Sequence, residues 1–124
     1  MNKQLYNQRA QEHLTHAKAL FESGDYVQSA EKIWGSLSAL INARSAIPVK
    51  LVSDKKRCFL TLFNVYNRTA PGLYIQMRTL SFTAGEEIFD VIYGLHKFFY
   101  GGANYTKNQL EKYLPFLIDL LGKL

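Results

Sequence analysis

Apolar residues recur at steps of three and four along most of the chain, the spacing of amphipathic helices. From about Asn2 to Glu22, Tyr6, Ala10, Leu14, Ala17 and Phe21 form one stripe, with Leu20 beside them. Gln8, Arg9, Gln11, Glu12 and Lys18 occupy the other face. Ser23-Gly24-Asp25 interrupts the pattern. Gly24 suits the left-handed position just past a helix end. Asp25 with Gln28 three residues on forms a capping-box variant. A turn this short joins two antiparallel neighbours, so the chain is expected to begin with a helical hairpin.

The second segment, Tyr26 to about Ala46, carries two stripes. Val27, Ala30, Trp34, Leu37 and Ile41 make a large one, widened by Ile33 and Leu40. Gly35, Ala39 and Ala43 make a small one, flanked by Ser38, Asn42 and Ala46. Small residues let a second helix approach closely, so this helix is expected to be central and packed on two sides. Pro48 ends it. A third helix should begin at Ser53 or Asp54, either of which can cap, and bury Phe59, Leu62, Phe63 and Tyr66 before Thr69-Ala70-Pro71-Gly72. Leu73 to Leu80 reads as a short helix or an irregular connection. Thr83-Ala84-Gly85-Glu86 is a candidate capping box for a helix that buries Ile88, Ile92, Leu95 and Phe99 and stops at Gly101-Gly102. Thr106 and Gln109 open the last helix, which presents Leu110, Leu114, Leu117 and Leu121 and should bend at Pro115. The expected fold is all-α: one domain over 1–124, an up-and-down bundle of about five helices.

The 124 residues suffice for one core without staples. Eight Tyr, eight Phe and one Trp promise a bulky interior or an aromatic surface. One cysteine, Cys58, cannot form an intrachain disulfide, which points to a reducing compartment, and its apolar neighbours suggest a buried, inert thiol. No apolar run reaches the length of a leader peptide or a membrane span, so a cytoplasmic protein without membrane contact is expected. The net charge of +5 favours a polyanionic partner weakly. Lys50, Lys55, Lys56 and Arg57 cluster near the start of the third helix, where cations oppose the helix dipole. They form either a solvated face or a contact for RNA phosphate.

Candidate chemistry is sparse. His96 ends the fourth expected helix beside Tyr100. Its ordinary role is a hydrogen bond in the core or to helix-end carbonyls. The sharper alternative is a polar anchor in a ligand pocket or dimer groove, with Tyr100 and Tyr105 as partners. His13 and His16 share a helical face but have no third ligand in sight, so no metal and no cofactor are expected. Trp34 is read as core. There is no phosphate loop, no nucleophile elbow and no paired-carboxylate signature.

Two stretches carry a resemblance: Phe21-Glu22-Ser23-Gly24-Asp25-Tyr26-Val27-Gln28-Ser29-Ala30-Glu31-Lys32-Ile33-Trp34-Gly35, and Leu95-His96-Lys97-Phe98-Phe99-Tyr100-Gly101-Gly102. Together they resemble the archaeal PaREP-type proteins of hyperthermophiles, which are similar to the HEPN group. The Gly24-Asp25-Tyr26 turn and the run through Trp34 match one recurring motif, and the run from Leu95 to Tyr100 matches the other. The resemblance implies a HEPN-like bundle, commonly a homodimer, that binds RNA, nucleotide or a nucleotidyltransferase-like partner. Some relatives in that wider group are RNA-cutting toxins, with four to six residues between an Arg and a late His. Here Asp90-Val91-Ile92 stands where that Arg would be, and Arg78 is too distant, which argues against cleavage by His96. Arg9 and His16 fit the spacing literally, but in the first helix. A non-catalytic binding module is thus expected, with a ribonuclease using Arg9 and His16, or His96 with an arginine from a second copy, as the alternative. A purely structural adaptor is the third reading.

Overall fold

The computed structural model describes residues 2–124, and among them all regular structure is helical. The helices are α1 (Lys3–Glu22), α2 (Tyr26–Arg44), α3 (Val52–Asn67), α4 (Leu73–Thr79), α5 (Gly85–Phe99) and α6 (Lys107–Lys123). Six helices stand where about five were expected, because Leu73 to Thr79 is a regular two-turn helix. Leu73 and Met77, one turn apart, both reach the core and pin it.

Three helices stop in the same way. At the end of α1, Gly24 has φ +86°, its N–H donates to Phe21 O, and Asp25 N–H donates to Leu20 O. This is the Schellman arrangement, in which a left-handed residue turns two N–H groups back onto the final carbonyls. Gly101 does the same after α5, with Gly102 N–H donating to Lys97 O at 2.7 Å. After α4 the left-handed residue is Ser81, at φ 65°, and Phe82 N–H donates to Met77 O at 2.7 Å. Phe82 is buried, so packing of its ring holds a serine where glycine is the easy choice.

The α1–α2 hairpin forms as the sequence predicts. The Asp25 carboxylate accepts from Gln28 N–H, and the Phe21 and Tyr26 rings stack at 5.1 Å across the turn. Two buried serines of α2 stitch the pair. Ser29 Oγ donates to Ala17 O at 2.7 Å, and Ser36 Oγ donates to Ala10 O at 2.9 Å. Between them Gly35 lies against the ring of His13, where an added Cβ would be only 3.2 Å from Nε2.

As expected, α2 is central. It packs on α1, α3, α5 and α6, and its Ile33, Leu37 and Ile41 are fully buried. Phe59 and Phe63 from α3, Ile88, Phe89, Ile92 and Leu95 from α5, and Leu114 and Leu117 from α6 complete the core. Burial of side chains this size contributes about 1.5–3 kcal/mol each, which dominates the stability of the bundle.

Several local expectations are corrected. Val27 is 43% exposed and lies off the α2 stripe. Helix α2 ends at Arg44, short of Ala46. Helix α3 starts at Val52, with Leu51 before it and no side-chain cap; Asp54 instead pairs with Arg57 at 2.8 Å. Helix α5 is entered from Ala84, so Thr83 lies one residue too early to cap it. The Thr83 N–H and hydroxyl both donate to the Glu87 carboxylate, and Glu86 takes no part. Cys58 is half-buried. The Thr106–Gln109 capping box forms in full, and Pro115 lies inside α6.

Candidate functional site

Two stripes at helical spacing meet where α2 crosses α5. On α2, Glu31, Trp34 and Ser38 follow one another by three and four residues. Along α5 and its C-cap, Phe89, Tyr93, His96 and Tyr100 follow by four, three and four. The His96 ring stacks on the Trp34 indole at 4.9 Å and 23°. Tyr93 also lies on the indole, at 5.4 Å, and Phe89 meets it edge-on at 6.3 Å. Tyr100 stands edge-on to His96 at 5.2 Å. The rings run continuously from the buried Phe89 to Tyr100, which is 70% exposed.

His96 has a partner that sequence reasoning missed. Its Nδ1 lies 2.9 Å from Glu31 Oε2 and 3.2 Å from Oε1. A carboxylate only accepts, so Nδ1 carries the hydrogen. The Nε2 nitrogen makes no hydrogen bond within the described residues and is free for an external partner. Both side chains are about one-quarter exposed, at 28% for His96 and 25% for Glu31. A glutamate on an amphipathic helix is ordinarily solvated, but Glu31 turns to His96. Its position one turn before Trp34, on the face turned to α5, was the signal available for the pairing.

The basic run of α3 is separated by the fold. Lys55 turns inward: its ammonium lies 4.9 Å from the Trp34 ring and donates to Ser38 Oγ at 3.0 Å. No carboxylate lies within ion-pair range of it among the described residues, and burial lowers its pKa. Lys56 pairs with Asp90 of α5 at 3.1 Å. Arg57 stays on the surface with Asp54, and Lys50 sits in the α2–α3 connection. From α5, Lys97 places its ammonium 4.8 Å from the Tyr93 ring. Lys55 and Lys97 are thus two cations held over aromatic faces without a carboxylate partner, an arrangement favoured by the ring quadrupole.

The remaining candidates lie elsewhere. Tyr105, expected beside His96, enters a notch at Gly94, and its hydroxyl points to Val91 O at 3.5 Å. Arg9 and His16 are both exposed on α1, with the Arg9 guanidinium 5.7 Å from the Tyr6 ring. His13 is half-buried, its Nδ1 is without a partner, and its pKa is lowered first by burial and then by Lys32. No group of three or more His, Cys, Asp or Glu is placed to hold a metal among the described residues. An open groove of about 480 Å³ lies along the α2–α3 connection, lined by Ile47, Lys50, Leu51, Asp54, Arg57 and Cys58, away from the ring cluster. No described helix is long and apolar enough to cross a membrane.

The two sequence stretches that carry the family resemblance are therefore in direct contact, through Glu31 and Trp34 of the first and His96 and Tyr100 of the second. Neither the curated proteins nor the solved structures include a match to this chain. A family model does match it, over residues 5–121, and the chain belongs to the archaeal PaREP1/PaREP8 family.

Proposed function

We propose that this protein is a cytoplasmic, non-catalytic binding module with a HEPN-like bundle, acting as a homodimer, and that the α2–α5 face receives an RNA or nucleotide ligand. The observation that carries the proposal is the cluster of Trp34, Tyr93, His96 and Tyr100 with Lys55 and Lys97 set over its rings. Cations without carboxylate partners attract phosphate, ring faces accept bases, and the open Nε2 of His96 offers one more polar contact. The net charge of +5 acts in the same direction. Lys56 and Arg57 support the surrounding potential while remaining paired with Asp90 and Asp54.

Retention of total RNA on the immobilised protein, followed over a salt gradient, tests this. Each lysine–phosphate contact contributes about 0.7–0.9 to the slope of log affinity against log salt. Lys55→Gln with Lys97→Gln should therefore flatten the slope by roughly 1.4–1.8. Failure to retain RNA and nucleotide alike would end the proposal. The same preparation, incubated with RNA and a metal chelator, should leave the RNA intact. Fragments that vanish in His96→Ala would instead support a ribonuclease.

A further inference from the structure

From the geometry of the ring cluster we infer that the α2–α5 face is a stacking site for unpaired nucleobases, so that its ligand is a single-stranded stretch of polynucleotide and not a duplex. This inference rests on the proposed binding of RNA or nucleotide at this face and specifies the form of that ligand.

Three observations lead to it. First, the rings form a graded ledge. Trp34 is 8% exposed, His96 lies on it at 4.9 Å, and Tyr100 stands out at 70% exposure. The inner rings fix the outer one without covering it. Phe99 also meets Tyr100 edge-on, at 4.9 Å, so the exposed ring is braced from two sides. A braced, exposed ring stacks a base at little cost in lost side-chain freedom. Second, the uncompensated cations lie over the ledge itself, with the Lys55 and Lys97 ammoniums each within 5 Å of a ring that belongs to it. They sit at the inner rings, Trp34 and Tyr93, and would draw the phosphates of a strand toward the ledge. Third, the local carboxylates are already occupied. Glu31 holds His96 and Asp90 holds Lys56, which lessens their opposition to an incoming phosphate.

A paired base inside a duplex has both faces taken by its neighbours and cannot lie on a protein ring, whereas an unpaired base can. Phosphate attraction alone would not discriminate, since a duplex carries the denser charge. Stacking is also indifferent to the sugar, because a ring face does not read the 2′-hydroxyl.

Fluorescence anisotropy with a labelled oligonucleotide of about 12 nucleotides tests the inference. The oligonucleotide is offered as single-stranded RNA, as single-stranded DNA, and as a blunt duplex at the same salt concentration. The expected result is similar affinity for the two single strands and at least roughly tenfold weaker binding of the duplex. Tyr100→Ala should weaken single-strand binding about tenfold, and Tyr100→Phe, which keeps the ring, should restore it. Tyr100 is exposed, so the circular dichroism spectrum of both variants should match that of the parent. Equal affinity for duplex and single strand, insensitivity to Tyr100→Ala, or binding confined to RNA would each overturn stacking and leave the broader proposal standing. Absence of binding to every probe would overturn both.

Discussion

Gly94 provides a sharp test of how α5 is packed. It lies in the interior of the helix and is buried. In an open helix, Gly→Ala stabilises by about 1 kcal/mol. Here the new Cβ would overlap the Tyr105 hydroxyl and lie 3.3 Å from the ring carbon that bears it. Tyr105 is not free to give way. Its ring stands edge-on to Phe98 at 5.7 Å and to Tyr113 at 6.3 Å, and its hydroxyl points to Val91 O. Displacing the ring forfeits two aromatic contacts of about 0.5–1.5 kcal/mol each, together with part of its burial. After the helix gain is subtracted, Gly94→Ala should destabilise by about 1–3 kcal/mol. Tyr105→Phe alone removes only a long hydrogen bond and should cost less than about 1 kcal/mol. It also removes the atom that clashes. The double variant should therefore be at least as stable as Tyr105→Phe, giving a coupling energy of about 2 kcal/mol in a double-mutant cycle. Urea denaturation followed by helical circular dichroism measures all four proteins. The packing account fails if Gly94→Ala is stabilising, as it would be in an open helix, or if Tyr105→Phe brings no recovery.

Three further outcomes are expected. Gly24→Ala should cost about 1 kcal/mol in the same denaturation assay, wholly from the left-handed backbone, because nothing lies within 4 Å of the added Cβ. Replacing Ser29 and Ser36 together by alanine should lower stability by about 1–3 kcal/mol, through loss of both hydrogen bonds to α1, and hydrogen exchange should rise along α1 before it rises in α5. His13 should make the bundle acid-sensitive. Its folded pKa lies below the ordinary 6.5, through burial and then Lys32, so between the two values the unfolded chain binds more protons. Its contribution is complete above about pH 6.5 and is lost as the pH falls through the folded value. His13→Leu should flatten the fall in denaturation midpoint between about pH 7.5 and pH 5 that the parent shows.

The helices were legible because apolar spacing and end signals agreed. Gly24, Thr106 and the stripe through Ile33, Leu37 and Ile41 each pointed to what the fold contains. Helix α4 was ambiguous because its end signal is concealed: a serine holds the left-handed position that glycine holds after α1 and α5. The Leu73–Met77–Leu80 spacing was the surviving clue. The site was half legible. Trp34, His96, Tyr100 and Lys55 each drew attention singly, but their convergence depends on which faces of α2, α3 and α5 meet, and a single helix does not fix its neighbour's rotation. Glu31 was lost for that reason, since a carboxylate on an amphipathic helix is ordinarily solvated. The basic run misled for the opposite reason. Three cations adjacent in sequence point in three directions on a helix, so Lys55, Lys56 and Arg57 end with an indole, an aspartate of another helix and an aspartate of their own.

The serine stitching of the opening hairpin limits how the molecule can move. Ser29 meets Ala17 and Ser36 meets Ala10, seven residues apart on both helices of the pair. Like two marks on a vernier scale, they coincide at only one axial setting. Sliding α1 by a single turn would break both of these hydrogen bonds, at about 0.5–1.5 kcal/mol apiece. Separation of α1 from α2 is therefore easier as a swing about the Gly24 corner than as a translation along the helix axis.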